Sequence, residues 1–189
     1  MDKVYDGLGA TMHYPAKNAH EPVAERNNRT IKERIRCQYH LLPFKAIPAV
    51  LVRFMCFVST TRLTWFPAAN GISHYYSPHM LMYGRCIDYK KHCKIPFGAS
   101  VEAFDKTKNT VEARTLSAIY LRPSSDLAGG HECMNLHSGR VITSYTVKEI
   151  PMTSFVIKSV EKMAAKQGIK GLKFQDRNGV DVTRADWIT

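Results

Sequence analysis

Ile95-Pro96-Phe97-Gly98-Ala99-Ser100-Val101-Glu102-Ala103-Phe104 is the stretch at which hydrophobic patterning turns from helical to alternating, and it divides the chain. Downstream of Gly98, four short runs read as strands: Val101 to Phe104, Leu116 to Leu121, His131 to Leu136 and Val141 to Val147. The breaks between them, Asp105 to Thr110, Pro123 to Gly130 and His137-Ser138-Gly139-Arg140, are rich in turn formers. Short strands at that spacing predict a small antiparallel sheet or barrel. Upstream, a helix is expected from Val23 to Leu42, stopped by Pro43, and a second from near Pro48 to Trp65. Ser77-Pro78 opens a short helix, His79 to Tyr83, that Gly84 closes.

Nearer the start, Leu8 to Pro15 reads as a helix end, a glycine stop and a short strand, followed by a polar connection to Pro22. A last helix, Thr153 to Gln167, precedes a tail punctuated by Gly168, Gly171 and Asn178-Gly179. The class is α+β, in three segments: a helical 1–94, a β part over 95–150, and 151–189 as helix and poorly specified tail. The second helix carries Ala49-Val50-Leu51-Val52 and Phe54-Met55-Cys56-Phe57-Val58, apolar on most of its faces. It is therefore either buried or a partner surface.

Charge narrows the function classes. The 189 residues carry 27 Lys and Arg against 16 Asp and Glu, a formal +11, with 44% hydrophobic residues. The apolar content excludes a disordered polyelectrolyte, and the sign excludes an acidic tail. An excess of this kind points to nucleic acid or another anionic surface, or to a bland solvated basic surface. It is concentrated: residues 26–62 hold eight bases and one acid, whereas residues 95–151 hold six of each. The partner is expected on the first of these stretches.

On a helical wheel, Ala24, Ile31, Ile35 and Leu42 cluster within about 40°, which predicts a buried stripe. Arg26, Arg29, Lys32 and Arg36 form a separate basic face, and Glu25 lies within it. In one reading Glu25 is an ordinary helical carboxylate, paired with Arg29 and favoured by the dipole of the first turn. In the other it is a metal ligand beside a phosphate-binding stripe, as polynucleotidyl transfer requires. That chemistry needs several acids in one cluster; Asp2, Asp6 and Glu21 lie upstream, none on an obvious buried strand. By itself the helix indicates DNA contact more firmly than catalysis.

Five cysteines without close pairing argue against a disulfide framework and for a reducing interior. Cys86, His92 and Cys93, with His74 and His79 upstream, lack the spacing of a metal site. The first residues contain no apolar run of a signal peptide, and Ala46 to Val58 is too short to cross a membrane. A soluble intracellular protein without membrane partners is expected.

Several motifs together carry a resemblance. Ala16-Lys17-Asn18-Ala19-His20-Glu21-Pro22-Val23-Ala24-Glu25-Arg26 is followed by Arg29-Thr30-Ile31-Lys32-Glu33-Arg34, Leu42-Pro43-Phe44, Ser77-Pro78 and Gly84-Arg85-Cys86-Ile87-Asp88-Tyr89. Then come Lys91-His92-Cys93-Lys94, Leu121-Arg122-Pro123, Gly129-Gly130-His131 and Asn135-Leu136-His137-Ser138-Gly139-Arg140. In this order they resemble the integrase region of copia-type LTR-retrotransposon Pol polyproteins, over roughly residues 10–152. Ala19 and Val23 depart from the acids relatives often carry there.

The resemblance implies a fold: the C-terminal helices of an RNase H-like integrase catalytic core, a small SH3-like β-barrel, and a helical tail toward the reverse transcriptase. It also implies a parent activity, DNA 3′-processing and strand transfer with Mg²⁺ or Mn²⁺, on element ends and target DNA, by an integrase oligomer moving between a cytoplasmic particle and the nucleus. Glu25 matches the last acid of the D,D,E triad and would be the catalytic metal ligand. Arg26, Arg29, Lys32 and Arg36 would position DNA phosphates. The two aspartates of the triad have no match here, so the fragment is expected to be inactive, to bind no metal tightly, and at most to bind DNA. Stripped of the core's sheet, the helix over 48–65 is expected to expose apolar surface. The alternatives are a non-catalytic nucleic-acid-binding module from a transposable element and a decayed reading frame.

Overall fold

A computed structural model describes residues 21–69, 71, 73–104, 113–124, 129–175 and 178–181. The expected elements before Glu21, with Asp2 and Asp6, lie outside the described residues. The chain is α+β: five helices and a five-stranded antiparallel sheet among the described residues. Helix α1 spans Pro22–Leu41, α2 Ala49–Trp65, α3 Pro78–Tyr83, α4 Tyr89–His92 and α5 Ser154–Lys166. Strands β1 to β5 are Ser100–Phe104, Thr115–Pro123, His131–Asn135, Val141–Ser144 and Val147–Glu149.

Local chemistry sets the ends. Leu42, the residue before Pro43, takes an extended ψ of 142° and stops α1, because the proline ring excludes the helical conformation of its predecessor. Ser77 caps α3 by accepting from the Met80 amide, and Gly84 closes it in the left-handed conformation at φ 65°. Thr153 caps α5 in the same way, accepting from the Val156 amide. Helix α4 has no counterpart in the expected elements; Asp88 nucleates it by accepting from the Lys90 and Lys91 amides.

The expected strand Val141 to Val147 is two strands. The sheet order is β4-β3-β2-β1-β5, so β4 and β5 occupy opposite edges, yet only Tyr145 and Thr146 separate them. The three Cα–Cα steps from Ser144 to Val147 span at most about 11 Å, so the sheet must curl until its edges meet. The junction is pinned there: the buried Ser144 hydroxyl lies 2.9 Å from both the Phe104 and Thr146 carbonyls, and the Phe104 amide donates to Thr146 O at 3.0 Å.

Both faces of the sheet are covered. Val101, Ala103, Ala118, Tyr120 and Cys133 fill the concave side together with Ile95. Ile119, Leu121 and Met134 point the other way, onto Leu51, Phe54, Met55 and Val58 of α2 and Val156 and Val160 of α5. Strand β2 is accordingly buried without interruption from Ala118 to Leu121, which explains its nearly continuous apolar run. A bulge between Tyr120 and Arg122 takes up one residue of register against β3.

The change from helix to strand falls near 94–98 as the patterning indicates, but packing runs across it. The α2 helix expected to lack a sheet has one: the β part itself. The C-terminal helix is equally integral, since Gln167 Oε1 accepts from the Ala49 amide at the start of α2 and Glu161 Oε1 from the Lys45 amide. Gly98, at φ 82°, is required where the chain enters β1, because a Cβ there would run into the Leu42 side chain.

The expected stripe on α1 is only half realised. Leu42, just past its end, is buried and Ile31 and Ile35 are half-buried, but Ala24 is exposed, and no residue within α1 is buried. The C-terminal half of the helix makes the contacts with the core: Ile35 and Tyr39 pack on it, and Gln38 Oε1 accepts from Ser59 Oγ of α2 at 3.2 Å.

Candidate nucleic-acid interface

The N-terminal half of α1 projects from the core because its residues are charged and its apolar members are too few to hold it down. Along one face, Glu25, Asn28, Arg29, Lys32, Glu33 and Arg36 line an open groove whose other wall is Gln175 from the tail. Positions 25, 29, 32 and 36 follow i, i+4, i+7, i+11, a straight line along a helix of 3.6 residues per turn. Four of the five sequence-predicted site residues thus share one groove. Arg26 does not line it; one residue on from Glu25, it points about 100° away.

The charges along the groove are used unequally. Arg29 Nε donates to Glu33 Oε1 at 2.9 Å, so the ion pair expected toward Glu25 is made with the acid one turn later. Both side chains are largely solvated, 70% and 49% exposed, and such a pair contributes only about 0.3–0.5 kcal/mol. Arg36 sits at the lower end with its guanidinium carbon 5.9 Å from the centre of the Phe174 ring. Glu25 occupies the first turn, where a carboxylate complements the helix dipole, and Pro22 opens the helix as its first residue.

The tail builds the second wall through contacts far apart in sequence. Tyr39 Oη donates to Lys45 O at 3.0 Å and accepts from the Leu172 amide at 3.3 Å. Tyr39 meets His40 and Phe174 in T-shaped contacts and His40 meets Phe174 at a tilt, with centroids 5.4–5.8 Å apart. Residues 172–175 therefore lie along α1. Asn28, Glu33, Phe174 and Gln175 were not among the expected site residues. The first two could have been found by extending the wheel; the last two depend on a tertiary contact with no local signal.

Among the described residues, the carboxylates that line the groove do not make a two-metal centre. Glu25 and Glu33 are eight residues apart, about 12 Å along the axis, whereas paired catalytic metals sit about 4 Å apart and need converging carboxylates. Among the described residues no three His, Cys, Asp or Glu side chains come together as a metal site, including Cys86, His92 and Cys93. What the groove can do chemically is hold phosphates: the exposed Arg29 and Lys32 and the half-buried Arg36 stand at one-turn intervals, with amides at Asn28 and Gln175.

Titratable groups elsewhere serve the fold. Arg122 makes a two-pronged pair with Glu132, at 2.8 and 3.2 Å, and lies 5.5 Å over each of the Phe54 and Phe57 rings. Burial pushes the Cys133 thiol up to about 12, and raises the Tyr120 hydroxyl well above its usual range. Burial, aided by the nearby charges of His92 and Lys94, holds His131 below its usual value. No helix among the described residues is long and apolar enough to cross a membrane. No protein-family model matches the chain, and no curated protein or solved structure matches it.

Proposed function

We propose that this chain is part of the integrase region of a copia-type retrotransposon Pol polyprotein and that it binds DNA through the exposed face of α1. The observation carrying this reading is that Arg29, Lys32 and Arg36 stand in line along a groove, and that Arg29 and Lys32 are exposed, while Arg36 is half-buried against the Phe174 ring. The ordered motifs from Ala16 to Arg140 support the family assignment. The curled sheet, with edge strands two residues apart, suits the SH3-like barrel that follows the core in that family. Helices α1 and α2 would then descend from the end of the RNase H-like core.

In the parent protein the reaction is metal-assisted attack of water or a DNA 3′-hydroxyl on a phosphodiester. Glu25 is the one carboxylate the resemblance assigns here, and a lone carboxylate does not assemble that centre. A second reading, a non-catalytic nucleic-acid-binding module, is favoured by the same fact and predicts the same binding face. Strand transfer with Mg²⁺ separates the two readings from an active enzyme. The purified chain is expected to give no product, and product lost on Glu25→Gln would overturn the assignment of Glu25 as a solitary acid.

A further inference from the structure

A second surface has a different composition from the α1 groove. Between the end of α2 and the start of β1, rings are exposed where a folded protein normally covers them. Phe66 and Tyr89 are 48% and 45% exposed and stack on one another at 5.3 Å with an interplanar angle of 17°. Tyr83, 65% exposed, leans on His79 at 4.8 Å. The Phe66–Tyr89 pair is held in place: Tyr89 Oη donates to Trp65 O at 3.0 Å, and α3 packs on α2.

The charge around these rings has one sign. Tyr89 opens α4, whose next residues are Lys90 and Lys91, and Arg85 and Lys94 flank it in sequence, all four exposed. The sole acid in residues 63–94, Asp88, caps α4 and lies 4.0 Å from Lys91 Nζ in a solvated pair, which leaves the cations of this stretch in excess. Flat rings among cations in excess match a ligand that presents π-faces and phosphates together.

We infer that the Phe66–Tyr89 stack with its flanking lysines is a binding platform for unpaired bases of single-stranded nucleic acid, separate from the α1 groove. A base stacks on the free face of the ring pair while Lys90 and Lys91 take the adjoining phosphates, and duplex DNA, whose bases are covered, gains only the second contact. This inference does not depend on the α1 reading.

Fluorescence anisotropy with an oligothymidylate or oligouridylate of about 20 nucleotides, beside a duplex of equal length, tests it in the full chain. Phe66→Ala/Tyr89→Ala is expected to weaken single-strand binding at least about fivefold, the low end for one lost stacking contact. Duplex affinity should stay within about twofold, as that contact is made only by unpaired bases. Tyr89→Phe, which keeps the ring, should retain single-strand affinity. Lys90→Ala/Lys91→Ala, at exposed positions, should reduce the logarithmic salt dependence on the single strand by about 1.4. Comparing the two oligomers tells DNA from RNA. Unchanged single-strand binding in the ring variant, or an unchanged salt slope in the lysine variant, would overturn the inference. So would a ring variant that only turns an oligomer into a monomer, which would mark the patch as a contact between copies.

Discussion

Helices α1 and α2 are neighbours in sequence, separated by residues 42–48, yet they answer to different forces. Six residues of α2 are buried and none of α1 is. Helix α2 is apolar around most of its circumference because it lies between the sheet, α1 and α5, and it could not leave that place without exposing Leu51 and Met55. Helix α1 is charged and held by one end, through Ile35, Tyr39 and the tail strap. The difference teaches that one helix is there to make the core and the other to carry a surface.

That contrast can be broken where it should be strongest. Leu51→Ala in α2, at a fully buried site, is expected to lower unfolding free energy by about 2–5 kcal/mol in a denaturant titration. A loss below about 0.5 kcal/mol, the size of an ordinary surface substitution, would show that α2 is not the centre of packing. Gly98→Ala comes next, at about 1–3 kcal/mol, since the new Cβ meets Leu42 and the residue keeps a positive φ. Tyr39→Phe removes the hydroxyl that ties the tail to α1, for about 1–2 kcal/mol. Its more telling readout is faster amide exchange at Leu172, with α2 unaffected.

Protonation gives a smaller, signed test on the sheet. His131 binds its proton less readily when folded, so the unfolded chain is the better proton acceptor below the ordinary value of 6.5. Stability should fall as pH drops through that value, and His131→Asn should remove that part of the acid slope. Cys133 behaves oppositely: its folded value near 12 against 9.0 keeps it protonated, so its contribution is complete below pH 9 and fades between 9 and 12. At pH 8, alkylation should reach Cys37, Cys56, Cys86 and Cys93, which are exposed, and spare Cys133 until the protein unfolds.

How much of this was legible follows from the range of each interaction. The ends of α1, α3 and α5 could be read because Pro43, Ser77, Gly84 and Thr153 act on adjacent backbone. The break of Val141 to Val147 into two strands could not, because Tyr145-Thr146 turns a corner only by virtue of β1 and β3 lying on either side. Ala24 misled for a related reason: the wheel reports which residues could share a buried face, not how far along the helix a partner extends. In the site, Glu25, Arg29, Lys32 and Arg36 were legible from helical spacing alone. Gln175 and Phe174 were hidden, since 135 residues separate Phe174 from Tyr39, whose ring it meets. The pairing of Arg29 with Glu33 rather than Glu25 is a choice between two equivalent spacings, i−4 and i+4, that spacing cannot make.

The smallest effect on stability belongs to the α1 face, and it is also the most informative. In the triple variant Arg29→Ala/Lys32→Ala/Arg36→Ala, the first two changes should each cost no more than about 0.5 kcal/mol of unfolding free energy because both side chains are exposed, and Arg36→Ala about 0.5–1 kcal/mol through its lost contact with the Phe174 ring. The direct test of a phosphate-binding face is duplex affinity measured across a salt series in the native chain and in this triple variant. The account predicts a steep linear fall of log K with log salt for the native chain, and a slope shallower by about 2.7 in the variant, 0.9 for each phosphate contact removed. A flat native series, or a variant whose slope equals the native one, would contradict it.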